Sequence, residues 1–309
     1  MILAWLCPSQ ANGATMIITL TGGDTKQYRR STQKMDHNIQ KTGLFSDNNL
    51  VRALEMHPPE NLEIFEAGSF KACQRGGVTS FELFEAIKRG TLWVNLKDIH
   101  ALTTPHGRLV RHMHKAFDRH MGVMTCNRTG DLQISSPGAK ARYHAGLNDI
   151  TLWHLRGRRR LYIYPDTPPF ILPFDMQKLA LESGEHRLVH EEAFETHRIA
   201  IDLEPGELIC WPHLAPYRIE NLDGLNVSMR LENISPRSAA RSGAHYFDGY
   251  INRKYGKIAE YETQNTVSLF GKAALAALIK KTGKNEPPRR RIKPAFKISL
   301  RRPDCIEPI

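Results

Sequence analysis

The chain has 309 residues, 41 % hydrophobic and 24 % charged, a composition that excludes wholesale disorder and leaves room for one large domain with extensions. Its formal charge of +11 and pI near 9.5 are compatible with an anionic partner or with a plain solvated basic surface. Five scattered cysteines (Cys7, Cys73, Cys126, Cys210, Cys305) without a CxxC pair argue against a disulfide framework and a zinc site.

No apolar run approaches the about 20 residues of a membrane helix, and Ile2–Cys7 is too short for the core of a signal peptide. The expectation is a reduced, cytoplasmic protein with no membrane contact. Residues 1–43 form a polar, weakly patterned N-terminal segment, with Met16 as an alternative start. Leu44–His57 reads as a helix capped by Ser46 or Asp47, with Leu50, Val51 and Leu54 as its apolar stripe. Asn61–Ala67 alternates like a strand. Thr79 opens a second helix that Ser80 can cap, with Phe81, Phe84 and Ile87 on one face and Gly90 at its stop. Thr91–Leu96 follows as a short strand. Pro105–Met121 is helical and carries His106, His112, His114 and His120. None of these has HExxH spacing, so they read as a solvated basic face.

After Gly130 the pattern turns to strands: Leu132–Ser135, Ala141–His144, Ile150–Tyr164, Ala200–Leu203, Glu207–Trp211, Tyr217–Asn221 and Leu225–Glu232. Ser-Pro-Gly at 136–138, Glu-Pro-Gly at 204–206 and Asp-Gly at 223–224 punctuate them, and Asp175–Glu192 is a helical or looped excursion. Short strands with turns, preceded by helices, suggest a double-sheet jelly roll. Along the strand through LRGRRR, Arg156, Arg158 and Arg160 face opposite to Arg159. Trp153 and Trp211 read as barrel packing. Helices resume at Ser235-Pro236, with His245–Tyr255 and Val267–Lys281, the latter striped by Leu269, Ala273, Ala276, Leu278 and Ile279. The implied organisation is a polar segment 1–43, a domain 44–234, a helical region 235–283 and a basic Pro/Arg-rich tail 284–309.

Two segments agree in order and content with a known family. The pattern ISSPGAxxxYH, then LWHLRGRRRLYIYP, then DLEPGELICWPxxAPYRIENLDGLNVS resembles the bacterial cupin-like branch of the JmjC family, well over Leu132–Glu232 and loosely on both sides. The resemblance implies a mainly β, α+β fold: a cupin/JmjC-type double-stranded β-helix with helical N- and C-terminal extensions. It also implies membership of the Fe(II)/2-oxoglutarate-dependent oxygenase superfamily, whose iron is held by two histidines and a carboxylate. Carried over by residue, the first histidine is His144. The carboxylate position, two residues on, is Gly146, and the distal histidine position is Tyr217. The basic anchor of the co-substrate falls on Arg159. Asp149 and His213 are the remaining candidate metal ligands, and a phenol with its pKa near ~10 is a poor partner for Fe(II).

Two functions of different class follow. In one, the metal centre has degenerated and no cofactor is expected; the old pocket, lined by Arg159 and Tyr217, binds a small anionic ligand or a protein partner. In the other, the chain is an active Fe(II)/2-oxoglutarate-dependent dioxygenase (hydroxylase) with a remodelled set, His144 plus Asp149 or His213. A third reading uses the basic arm Lys284–Arg302 on nucleic acid, but no nucleic-acid module is recognisable and that partner is not expected. The C-terminal helices are candidates for a homodimer contact.

Overall fold

The structure is a computed structural model and describes residues 6–8, 15–69, 71–182, 186–256, 266–281 and 293–309. In chain order the first half holds β1 (Leu6–Pro8), β2 (Thr15–Ile17), β3 (Leu20–Gly22), β4 (Gln33–His37), α1 (Asp47–Met56), β5 (Leu62–Glu66), β6 (Cys73–Gln74), α2 (Ser80–Arg89), β7 (Leu92–Leu96), α3 (Pro105–Met121), β8 (Cys126–Ser135) and β9 (Lys140–Ala145). The second half holds β10 (Asp149–Ile163), α4 (Pro173–Glu182), β11 (His186–Arg187), β12 (Ile199–Leu203), β13 (Glu207–Cys210), β14 (Tyr217–Ile234), α5 (Pro236–Tyr255), α6 (Thr266–Lys281), β15 (Phe296–Ile298) and β16 (Ile306–Pro308). Among these helices none is long and apolar enough to cross a membrane.

Two long strands, β10 and β14, pair antiparallel from Asp149↔Asn233 to Ile163↔Tyr217. The register shifts between His154 and Arg159. Gly157, at φ +75°, lies in that irregular stretch, a backbone conformation that side-chain-bearing residues rarely adopt. A Cβ there would also lie 2.7 Å from Asn226 Nδ2, so only glycine fits. The two strands thus serve two sheets. Their Asp149 and Ile234 ends belong to the order β3-β4-β13-β10-β14-β8-β7-β5, and their Ile163 and Tyr217 ends pair with β12 and with β9, which β11 extends. The sequence pattern puts a turn at Asp223-Gly224, but the strand runs on as one element because β10 continues to pair across it.

Alternation along the strands divides the core into layers. Ile150, Leu152, Leu161, Ile163, Leu203, Ile209, Trp211, Tyr217 and Ile219 fill the space between the sheets. On the outer face of the larger sheet, Trp153, Leu155, Val227, Met229 and Leu231 pack with Leu54, Phe84, Leu109, Met113 and Phe117 from the helices. On the outer face of the smaller sheet, Tyr143, Tyr162 and Tyr164 pack on Met176 and Leu179 of α4.

Several expectations are corrected. Thr79, not Ser80, caps α2: its hydroxyl accepts from the Glu82 amide at 3.1 Å, and the Glu82 carboxylate accepts from the Thr79 amide at 2.7 Å. On α3 only His112 and His120 lie toward solvent; His106 and His114 are buried and bond the carbonyls of Leu44 and Thr129. Gln33–His37, inside the segment 1–43, pairs with β13, so the sheet begins before residue 44. The basic run at 282–292 lies outside the described residues. Beyond it the chain returns to pair Phe296–Lys297 in parallel with Cys73–Gln74, and Ile298, Cys305 and Ile306 join the core. Burying each such isoleucine contributes about 1.5–3 kcal/mol, which offsets the cost of ordering this end of the chain. On α6 Ala276 is buried, whereas Leu278 of the expected stripe is 61 % exposed.

Four buried histidines, on β4, α3, β10 and α5, are uncharged because desolvation depresses them: His37 and His114 to about 4, His154 and His245 to about 3. Unfolded histidines take up protons near ~6.5, so below that pH the unfolded chain binds more protons than the folded one. Stability is therefore complete above about 6.5 and is lost progressively as pH falls toward 3. Urea midpoints measured at pH 7, 5 and 4 are expected to fall in that order, and His154→Gln is expected to flatten the decline.

Candidate functional site

Arg159 is the most unusual side chain of the interior. It stands on β10 with Leu161 and Ile163, on the face that looks between the sheets, and its exposure is 0 %. The other arginines of the run each reach a carboxylate: Arg156 to Asp47 at 2.7 Å, Arg158 to Glu204 at 2.7 Å and Arg160 to Asp202 at 2.7 Å. Arg159 has only neutral partners. Its Nη2 donates to Ser135 Oγ at 3.3 Å and its Nε to Asn226 Oδ1 at 3.5 Å, the guanidinium lies 5.5 Å from the Trp93 ring, and Nη1 has no partner among the described residues. Burial pushes the group down from its ordinary value to about 9, which still leaves it cationic at neutral pH.

A polar layer surrounds it. Asn221 donates through Nδ2 to Ser135 Oγ at 2.8 Å and to the Ser136 carbonyl at 2.7 Å, which fixes which end of the amide is which. Asn226 donates to the carbonyls of Asp223 and Gly224 at 2.9 and 3.0 Å. His154 Nε2 must donate to the Gly157 carbonyl at 2.8 Å, so Nδ1 accepts from the Ser228 hydroxyl at 2.9 Å. Sequence reasoning found Arg159 but not Ser135, Asn221 or Asn226. Alternation from Tyr217 through Ile219 to Asn221 was the available signal for one of them.

The candidate metal ligands lie in two places. His144 is buried on β9, opposite Tyr217 in register, with its ring centroid 4.2 Å from the tyrosine ring. Its Nδ1 donates to the Arg142 carbonyl at 2.6 Å. Asp149 begins β10 on the face of Thr151 and Trp153, away from Ile150 and Leu152, which line the interior. There it pairs with Arg29 Nε at 2.9 Å and accepts from Ser238 Oγ at 2.7 Å. His213 Nε2 donates to the Leu147 carbonyl at 2.8 Å, and the Arg241 guanidinium donates to the His213 carbonyl. Burial holds His213 below the ordinary histidine range, against the opposing pull of the Asp149 charge. Asp149 and His213 therefore share a neighbourhood, while His144 stands with Tyr217.

A set of two histidines and one carboxylate does not fit these side chains. Among the described residues no three His, Cys, Asp or Glu side chains converge as a metal-holding group. At the expected carboxylate position, a Cβ added to Gly146 would meet Ile150 Cδ1 at 3.2 Å and Arg230 Nη2 at 3.5 Å. A guanidinium, itself paired with Glu232 at 2.5 Å, thus lies beside the position where a carboxylate ligand would have to stand.

No family model matches the chain, and no curated protein matches it. Among solved structures, the X-ray structure of YcfD from E. coli superposes with a TM-score of 0.51 over 86 % of this chain and 70 % of that one, at 15 % identity. That likeness shows the fold, the expected cupin/JmjC-type double-stranded β-helix with helices on both sides. A second structure of the E. coli protein, described as a ribosomal oxygenase, covers 92 % of this chain and 75 % of that one at 12 % identity, with a TM-score of 0.47.

The arrangement around Gly146 yields a prediction. Gly146→Asp with Tyr217→His adds a carboxylate and an imidazole near His144, but the new carboxylate meets Arg230 first. Mn(II) titration by calorimetry is expected to show a gain in affinity only when Arg230→Gln is added to the pair. Equal affinity in both backgrounds contradicts this placement.

Proposed function

We propose that this chain is a binding module built on an oxygenase-type jelly roll, and that a small carboxylate enters the barrel and sits on Arg159. One observation carries the reading: a guanidinium with no exposed surface and no carboxylate partner among the described residues. An uncompensated buried charge costs several kcal/mol, far more than a neutral hydrogen bond returns. A ligand carboxylate relieves that cost through charge-assisted hydrogen bonds, the interaction for which a planar guanidinium is best suited. Tyr217, packed on Trp211 at 4.7 Å between ring centroids, and His144 line the same interior. A cytoplasmic setting belongs to the same proposal, supported by Cys73, Cys126, Cys210 and Cys305, which are all free thiols.

Replacing the cation by an apolar residue of similar length separates its two effects. Arg159→Met is expected to stabilise the ligand-free protein by about 1–4 kcal/mol, the range seen when buried ion pairs give way to packed hydrophobes. It is also expected to abolish the rise in melting temperature produced by millimolar carboxylates. A variant that keeps the carboxylate response overturns the reading. So does stoichiometric Fe(II) binding that is lost in His144→Ala together with succinate formed from 2-oxoglutarate under oxygen.

A further inference from the structure

The unpartnered atoms around Arg159 do not all ask for the same kind of group. Nη1 of Arg159 is a donor without an acceptor. Asn221 Oδ1 and Gln133 Oε1 are acceptors without a donor, on side chains that are 5 % and 7 % exposed. Asn221 and Arg159 meet at one atom, because both donate to the hydroxyl oxygen of Ser135. With both of its lone pairs engaged, that hydroxyl retains its own proton to give. Gln133 stands two residues before Ser135 on the same face of β8.

A ligand that answers this set must bring a negative charge and a hydrogen-bond donor within a few bonds of each other. A keto acid or a plain dicarboxylate brings acceptors only and leaves Asn221 Oδ1 and Gln133 Oε1 as they are. An amino acid brings donors, but its ammonium cancels its carboxylate and leaves Arg159 uncompensated. Arg159 is a single buried cation without a counter-ion in this layer, so one carboxylate suffices. We infer that the barrel takes a short hydroxymonocarboxylate, its carboxylate on Arg159 and Ser135 and its hydroxyl donating to Asn221 or Gln133. This rests on the carboxylate reading above and deepens it.

The experiment compares acids of one size on the full chain: propionate, lactate and 3-hydroxypropionate, by calorimetry and thermal shift. At least one hydroxy acid is expected to bind tenfold or more tightly than propionate, since a buried acceptor discriminates strongly against a ligand that cannot supply its proton. Asn221→Leu or Gln133→Leu, whichever removes the acceptor in use, is expected to bring that ratio down to about one. Two variants are used because Asn221 also supports Ser135 and Ser136, and its loss can disturb the strand end. Equal binding of all three acids overturns the hydroxyl assignment and leaves the carboxylate site standing. Absence of binding by all three, with no difference between wild type and Arg159→Met, removes both. A lactate-soaked crystal in which only ordered water reaches Asn221 Oδ1 and Gln133 Oε1 likewise overturns the hydroxyl assignment.

Discussion

The pairing of β10 with β14 sets everything else in this molecule. Each strand serves two sheets, so a single antiparallel ladder defines both walls of the barrel and the space between them. Because side chains alternate along a strand, the ladder's register also decides which arginine of Arg156–Arg160 faces inward. A slip by one residue would turn Arg159 outward and carry Arg158 and Arg160 into the interior, away from Glu204 and Asp202. The carboxylates on the outside of the strand therefore help to hold the register as well as to neutralise the surface. The irregular stretch around Gly157 and Gly224 is where the ladder absorbs the bend between the sheets.

The interior that results is unusual in its charge. Oxygenase-type sites concentrate positive charge in a metal and surround it with anionic or neutral ligands. Here the positive charge is covalent, delivered by Arg159 in the polar layer and by Arg230 beside Gly146. A guanidinium is fixed in position, cannot be lost to a chelator and presents a planar fork of donors. A buried guanidinium recognises an anion by hydrogen bonding and charge.

Much of this was legible in the residues. Period-two alternation gave the strands, and it placed Arg159 opposite its neighbours. Caps and apolar stripes mark α1 and α2, whose apolar faces pack against the sheet, and Ser235-Pro236 marks the start of α5. What escaped depended on contacts between distant positions. The grouping of Ser135 with Asn221 joins residues 86 apart, and the return of β15 to β6 joins the chain's end to residue 73. Local patterns carry no information about such pairs. His106 and His114 were misjudged for a related reason: imidazole is polar in any sequence count, yet it buries readily when a carbonyl from another element takes its N–H. Asp149 lies near His144 in sequence, but strand alternation and the ion pair with Arg29 commit its side chain to the opposite face of β10.

That commitment has a bearing on how the protein is made. Arg29 lies in the connection between β3 and β4, Asp149 starts the central strand β10, and Ser238 opens the helix that follows β14, 89 residues beyond Asp149. Arg29 also reaches Asn233, 204 positions away. During synthesis from the N-terminus, Arg29 and Asp149 emerge long before the residues that complete their environment. Until β14 and the first turn of α5 have been added, the carboxylate lacks one of its partners and β10 lacks its main neighbour. The nascent chain therefore carries an open barrel until β14 and the first turn of α5 have emerged, and closure waits on those residues rather than on β10 itself.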